Sequence, residues 1–278
     1  MNSDKNVISS FGFEWEKYDQ ELILNVELRK TFDEYFHIFP KHLLNKNAVG
    51  FDMGSGSGRW SYFVCEKVKN LTLIEPSQRA LNASKKLFKK KKNINFVNAT
   101  VSDAENIFNN KKFDFGYSIG VLHHVPNTLE ALKSCRKLLK PGAPFLIYLY
   151  YNFENKGKLF KLVWLLTVPF RLVISRSPQK LKYFLSDIIA YLIYLPIKYI
   201  LKIFIVFKIN IEGFPLSNYV NKSIQTLRTD SYDRFATRIE KRFSRSAIID
   251  MLHEAGFTFS RFSNKQPYWT VLSYAKVD

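Results

Sequence analysis

The sequence predicts an α/β fold: three layers built around a mostly parallel seven-stranded sheet, with an antiparallel final strand and a helical insertion ahead of the last strand pair. Three observations carry this expectation. Between residues 48 and 151, short apolar runs alternate with helix-patterned stretches, the rhythm of a parallel sheet. The first apolar run ends in a glycine-rich turn, Gly54-Ser55-Gly56-Ser57-Gly58. An acid, Glu75, closes the second run about 20 residues further on.

The elements follow in order. Val49–Met53 reads as the first strand and Arg59–Lys67 as the helix after its turn. Leu71–Ile74 is the second strand, and Ser77 is placed to cap a helix running through Phe88. Ile94–Asn98 and Phe113–Ile119 are the third and fourth strands. Thr128–Leu139 is a helix stopped by Lys140-Pro141-Gly142, and Pro144–Tyr151 is the fifth strand. Right-handed crossovers wind such units into one sheet. Near the C-terminus a helix over Ser244–Ala255, capped by Ser244 or Ser246, precedes an antiparallel pair, Phe257–Phe262 and Tyr268–Ala275. Ahead of the sheet, Leu22, Leu24, Val26, Leu28, Phe32 and Phe36 mark an amphipathic helix. The chain therefore divides into an N-terminal helical segment (1–47), a strand-and-helix core (48–151), a helical insertion (152–242) and a C-terminal part that completes the core (243–278).

The insertion differs in texture. Leu159–Ile174 and Tyr183–Phe207 are strongly apolar but broken by Pro169, Arg171, Asp187, Pro196, Lys198 and Lys202. A spanning helix wants about 20 largely uncharged residues. Paired helices over 155–212 that cover the ligand side of the core, with peripheral membrane contact through their lysines, fit better. Packing on the core or on a second subunit fits equally.

Composition narrows the classes. With 46% hydrophobic residues the chain can bury a real core. A net charge of +18 points to an anionic partner or simply to lysine-rich usage. No recognisable nucleic-acid-binding module accompanies the charge, so nucleic acid is not the expected partner. Cys65 and Cys135, the two cysteines, match neither a disulfide framework nor a zinc site. Residues 1–10 contain no apolar run, so no secretory leader is expected. The expected location is cytoplasmic, peripheral on the inner face of a membrane where the insertion touches lipid.

The chemistry concentrates at Asp52-Met53-Gly54-Ser55-Gly56-Ser57-Gly58. A strand that turns abruptly into a helix beside a ligand needs glycine for its backbone angles and for close approach. The dinucleotide fingerprint G-x-G-x-x-G fails, because Arg59 stands at its third glycine, and no Gly-Lys-Ser/Thr of a phosphate loop is present.

What remains, acid-x-G-x-G-x-G, resembles motif I of the Rossmann-like, class I S-adenosylmethionine-dependent methyltransferases, especially their small-molecule group. Leu73-Ile74-Glu75-Pro76-Ser77 is similar to motif II, Ala99–Ala104 to motif III, Phe113–Val125 to motif IV, and Leu138–Ala143 to the turn before the fifth strand. The resemblance implies residue roles. The backbone of Gly54, Ser55, Gly56 and Gly58 would pass under the methionine part of S-adenosyl-L-methionine, with Asp52 facing its amino group. Glu75, beside Pro76, would bind both ribose hydroxyls. Asp103 would accept from the adenine amine, with Ser102 and Ala104 beside the ring. Ile119 and Gly120 would line the pocket near the sulfonium. His123 and His124, just beyond the fourth strand, are the candidate bases, because histidine titrates near neutrality. No metal is expected: adjacent histidines without a third ligand chelate poorly. Tyr232 and Arg234 would face the acceptor.

The expected activity is methyl transfer to an oxygen or nitrogen of a small-molecule or lipid-linked acceptor. Two alternatives stand beside it: an RNA methyltransferase, and a non-catalytic cofactor-binding protein at a membrane. Motif IV, Ser118-Ile119-Gly120-Val121, lacks the Pro-Pro-aromatic signature of exocyclic-amine methylation of nucleic acid.

Overall fold

A computed structural model describes residues 2–17, 26–109, 111–154, 156–211 and 214–277. The chain forms two compact units, Met1–Asn152 with Ile239–Asp278, and Phe153–Arg238.

The first unit is built on a seven-stranded sheet in the order β3-β2-β1-β4-β5-β7-β6. The strands are β1 Val49–Met53, β2 Asn70–Ile74, β3 Ile94–Val97, β4 Phe115–Ile119, β5 Pro144–Tyr148, β6 Phe257–Phe262 and β7 Thr270–Ala275. β1 to β5 run parallel, and β7 pairs antiparallel with both β5 and β6. Central strands of such a sheet are covered on both faces and so are apolar at every position, not at alternate ones. The side chains segregate accordingly. Phe51, Met53, Phe145 and Ile147 join one buried cluster, while Leu71, Leu73, Phe115 and Tyr117 join another.

Helices α3 Ser61–Cys65, α4 Gln78–Leu87, α5 Val101–Phe108, α6 Thr128–Lys137 and α11 Arg245–Glu254 connect or flank the strands, after the N-terminal pair α1 Lys5–Lys17 and α2 Val26–Phe36. Most starts are fixed by their capping side chains. Ser77 Oγ accepts from the Ala80 amide, Asn127 from the Glu130 amide and Ser244 from the Ala247 amide. Of the two serines considered for α11, Ser244 is therefore the cap.

Several expected elements are longer in sequence than in structure. The helix expected over Arg59–Lys67 contracts to α3. The fourth strand starts at Phe115, because Asp114 turns its carboxylate to accept the Val49 amide at 2.8 Å. The fifth strand ends at Tyr148; one more backbone exchange joins Leu149 to Trp269, and beyond it Tyr151 bridges to Phe243. The N-terminal amphipathic pattern yields α2, which buries Leu28, Phe32 and Phe36, whereas Leu22 and Leu24 lie outside the described residues. Helix α1 falls in the N-terminal segment expected to be helical, but its bounds are not marked by the apolar pattern that indicates α2.

The second unit is helical: α7 Lys158–Arg176, α8 Gln179–Ile189, α9 Leu195–Val206 and α10 Ile224–Ala236. A π-turn over Ala190–Tyr194 joins α8 to α9 without breaking the run. Its core holds Ile174, Tyr194, Tyr219, Leu227 and Phe235. Asp187 of α8 accepts both Nε and Nη2 of Arg228 from α10, at 2.8 and 3.0 Å.

Candidate active site

The carboxyl ends of β1, β2 and β4 converge on the glycine turn, the place where open α/β sheets hold ligands. Gly54, Gly56 and Gly58 have φ of +77°, +55° and +83°, angles that a side chain would strain. The turn is bolted to β2: the Gly54 and Ser55 amides donate to the Ile74 carbonyl at 2.8 and 3.2 Å. Glu75 completes the clasp. Its Oε2 accepts from the Gly56 amide at 3.0 Å and its Oε1 from the Ser77 amide at 2.9 Å. Burial pushes this carboxyl up to about 7, against the pull of those two amides. Pro76 is held by Asn98, whose side-chain amide donates to the Pro76 carbonyl at 2.9 Å.

Asp52 stands behind the turn. Its Oδ2 accepts from Ser61 Oγ at 2.6 Å, and Ser61 Oγ lies 2.9 Å from the Tyr117 hydroxyl. Burial raises the Asp52 carboxyl from 3.8 to about 7. The sequence singled out Asp52 but not Ser61 or Tyr117; their spacing gives no sign that they meet. Ser55 and Ser57 have buried hydroxyls without a hydrogen-bond partner among the described residues. Such atoms await a polar ligand, so the turn fits the polar end of an amino-acid-bearing cofactor.

Asp103 serves a structural purpose first. Thr100 Oγ1 accepts from the Asp103 amide, and Asp103 Oδ2 takes the Thr100 amide at 3.2 Å and its hydroxyl at 2.7 Å, a complete capping box on α5. Ser102 is half-buried and Ala104 fully buried beside it. At the end of β4, Ile119 pairs with Tyr148, and Gly120 at φ +79° donates to the Tyr148 carbonyl at 3.3 Å.

Past Gly120 lies an aromatic nest. The His123 ring stacks on Tyr150 with centroids 3.8 Å apart and lies 4.1 Å from His124. His123 is fully buried, with neither ring nitrogen hydrogen-bonded among the described residues. Burial holds it neutral by pushing its proton affinity well below the ordinary histidine value. His124 Nδ1 lies 2.6 Å from the Ile239 carbonyl, which can only accept, so this nitrogen carries a proton. Arg242 pairs with Glu240 at 2.6 Å and sits 5.1 Å above the Tyr150 ring.

Helix α1 is the part of the site that the sequence reading passed over. Its residues reach three of the site's elements. A Cβ on Gly12 would fall 2.2 Å from Ser77 Oγ, so only glycine lets α1 approach the start of α4 this closely. A Cβ on Gly56 would meet the Trp15 indole nitrogen at 2.8 Å, so Trp15 lies against the glycine turn. Phe11 packs on His124 with centroids 5.0 Å apart. The Arg59 guanidinium lies between two indoles, 4.6 Å from Trp15 and 4.5 Å from Trp60. A glycine flanked by Phe11, Phe13 and Trp15 was the available signal: it reads as a weak helix until the partner surface is known.

Tyr232 and Arg234 belong to the helical unit, on α10. Tyr232 is fully buried, stacks on Tyr183 with centroids 4.9 Å apart, and accepts from Gln179 Nε2 at 2.6 Å. Arg234 Nη2 donates to the Tyr219 hydroxyl at 3.3 Å. Both are engaged in the packing of that unit.

Comparison with known proteins agrees with this geometry. Residues 51–147 match the family model described as a methyltransferase domain. A sterol 4-C-methyltransferase of Caenorhabditis elegans is 28% identical over 123 residues, 40% of this chain and 34% of that protein. A demethylmenaquinone methyltransferase of Staphylococcus epidermidis is 29% identical over 133 residues, 46% of this chain and 53% of that protein. The matched part thus spans about half or less of these relatives. Two solved structures share the fold across nearly the whole chain. A methyltransferase of Thermotoga maritima has a TM-score of 0.50 at 14% identity, covering 96% of this chain and 100% of that one. The complex of the Haloferax volcanii Trm112 methyltransferase activator with a methyltransferase scores 0.52 at 12% identity, covering 96% and 98%.

Proposed function

We propose that this chain, whose residues 51–147 form a Rossmann-like, class I S-adenosylmethionine-dependent methyltransferase domain, transfers a methyl group to an oxygen or nitrogen of a small-molecule or lipid-linked acceptor. The observation that carries the proposal is the clasp between Glu75 and the Gly56 amide, which fixes a glycine cradle at the carboxyl end of β1.

S-adenosyl-L-methionine supplies an electrophilic methyl group, so the protein's main work is orientation and the exclusion of water. In this reading the backbone of Gly54, Ser55, Gly56 and Gly58 supports the methionine part. Asp52 meets its amino group, and Glu75, set by Pro76, uses its remaining lone pairs for the ribose hydroxyls. Asp103 reads adenine beside Ser102 and Ala104, and Ile119 and Gly120 close the methyl end. His123 orients the acceptor through a ring nitrogen that otherwise lacks a partner. His124 Nε2 takes a proton when the acceptor is a hydroxyl. The names of the two curated relatives point to a sterol and a quinone precursor, which supports an acceptor with a large apolar part.

The test is transfer of labelled methyl from S-adenosylmethionine to three pools: an organic-solvent lipid extract, a polar small-molecule extract and total RNA. Label in either of the first two supports the proposal. Label confined to RNA moves the chain to the RNA-modifying alternative. Tight cofactor binding with no transfer to any pool supports the non-catalytic one.

A further inference from the structure

The helical unit carries an apolar outer surface that its own core does not use. On α7, Leu166, Phe170 and Val173 follow one another at i, i+4 and i+7, and on α9 so do Tyr199, Ile203 and Val206; each is more than half exposed. Scattered apolar residues need no explanation, but two continuous stripes on neighbouring helical runs do.

The charges around them are one-sided. From Lys156 to Ile209 there are ten lysines and arginines and one acid, Asp187. That acid faces inward, where it is held by Arg228. Lys158, Lys161, Lys180, Lys202 and Lys208 are exposed. A helical run whose exposed residues are mainly apolar stripes and cations complements a surface that is itself apolar beneath and anionic above.

We infer that the unit Phe153–Arg238 docks peripherally on an anionic lipid bilayer, with the stripes of α7 and α9 among the acyl chains and the exposed lysines at the headgroups. The run Gln179–Val206 is long and apolar enough to cross a bilayer. Its inner face argues for lying flat. Lys182 is buried, Asp187 is paired with Arg228, the Ser186 carbonyl accepts from Ser231 Oγ, and Lys198 donates to the Lys222 carbonyl. A run with one polar, protein-bound face and one apolar face has the pattern of an interfacial helix, whereas a spanning run has apolar residues all round. The inference is independent of methyl transfer and stands or falls without it.

Flotation of the full chain tests it. One set of vesicles is phosphatidylcholine alone and the other is one-third phosphatidylglycerol. The chain is expected to float with the anionic vesicles at low salt, and to stay with buffer when the vesicles are neutral or the salt is high. Phe170→Glu, Ile203→Glu and Val206→Glu combined alter exposed positions only. With melting temperature unchanged, the triple variant is expected to bind anionic vesicles about tenfold more weakly or worse. Lys161→Gln, Lys202→Gln and Lys208→Gln combined serve as a second arm that removes charge without touching the stripes, and should also weaken binding. Failure of the intact chain to float overturns the inference, as does flotation of both variants to the same extent as the intact chain. Sedimentation as a dimer that the triple glutamate variant converts to monomer, with no flotation, assigns the face to a second copy of the chain.

Discussion

Glu75 and Gly56 are joined by one hydrogen bond, 3.0 Å from the amide nitrogen to Oε2, and that bond ties the end of β2 to the apex of the turn that follows β1. The carboxylate is thus a strut for the cradle, and in the proposed function it also faces the ribose. Glu75→Gln keeps the size but cannot accept from the Gly56 and Ser77 amides at once. S-adenosylmethionine affinity should fall roughly ten- to a hundredfold, as for a buried group left unmated. Affinity of the native chain should rise as pH climbs through about 7, where this carboxyl ionises. Calorimetry at pH 6 and pH 8 checks both points, and in Glu75→Gln the difference between the two pH values should shrink.

Asp103 caps α5, and the adenine contact proposed for it can be tested apart from that cap. Asp103→Ala removes the carboxylate from the capping box and should cost about 1 kcal/mol of stability along with cofactor affinity. Asp103→Glu retains a carboxylate of the kind capping boxes favour at this position, so the melting temperature should hold. The adenine contact is displaced by a methylene, so cofactor affinity should still drop. Full affinity in the Glu variant would leave Asp103 a cap and nothing more.

Asp52 should make the cofactor-free protein less stable as pH rises. Its carboxyl titrates at about 7 in the fold against 3.8 for the ordinary group. The folded state therefore holds the proton more tightly, and stability is lost from about pH 4 up to about pH 7, then levels off. The full span corresponds to about 4 kcal/mol as an upper bound. Asp52→Asn still accepts from Ser61 and cannot ionise. Its advantage in denaturant midpoint over the native chain should be near zero at pH 3.5, under half its full size at pH 5, and reach its plateau by pH 8.

His123 has the opposite sign. Its folded-state proton affinity is lowered, so its contribution is complete above the ordinary histidine range and is lost as pH falls below 6.5. Between pH 7.5 and 5.5 the native chain should lose about 1 kcal/mol more than His123→Phe, which keeps the stack on Tyr150. If His123 orients the acceptor, the same variant should bind S-adenosylmethionine normally and lose turnover.

Where short-range rules governed, the sequence was legible. β1 appears with the bounds expected, and Ser77 caps α4 as the pattern indicated. Glu75 stands beside the turn because strand length alone carries it there. The obscured features depend on partners distant in sequence. Ser61 and Tyr117 meet Asp52 only once β1 and β4 pair. Helix α1 has a glycine at its centre and gains its stability from the surface it lies on, so local propensity understates it. Tyr232 is another such case: the family resemblance marks it as acceptor-facing, and its stacking on Tyr183 becomes visible only when α8 and α10 are in place.

The placement of Arg59 between Trp15 and Trp60 gives the protein an optical property of its own. Of the chain's four tryptophans, these two share one cation and lie on different elements, one on α1 and one just after the glycine turn. Any departure of α1 from the turn separates the indoles and strips the guanidinium from at least one of them. Native emission, with no label attached, therefore reports whether α1 lies against the turn.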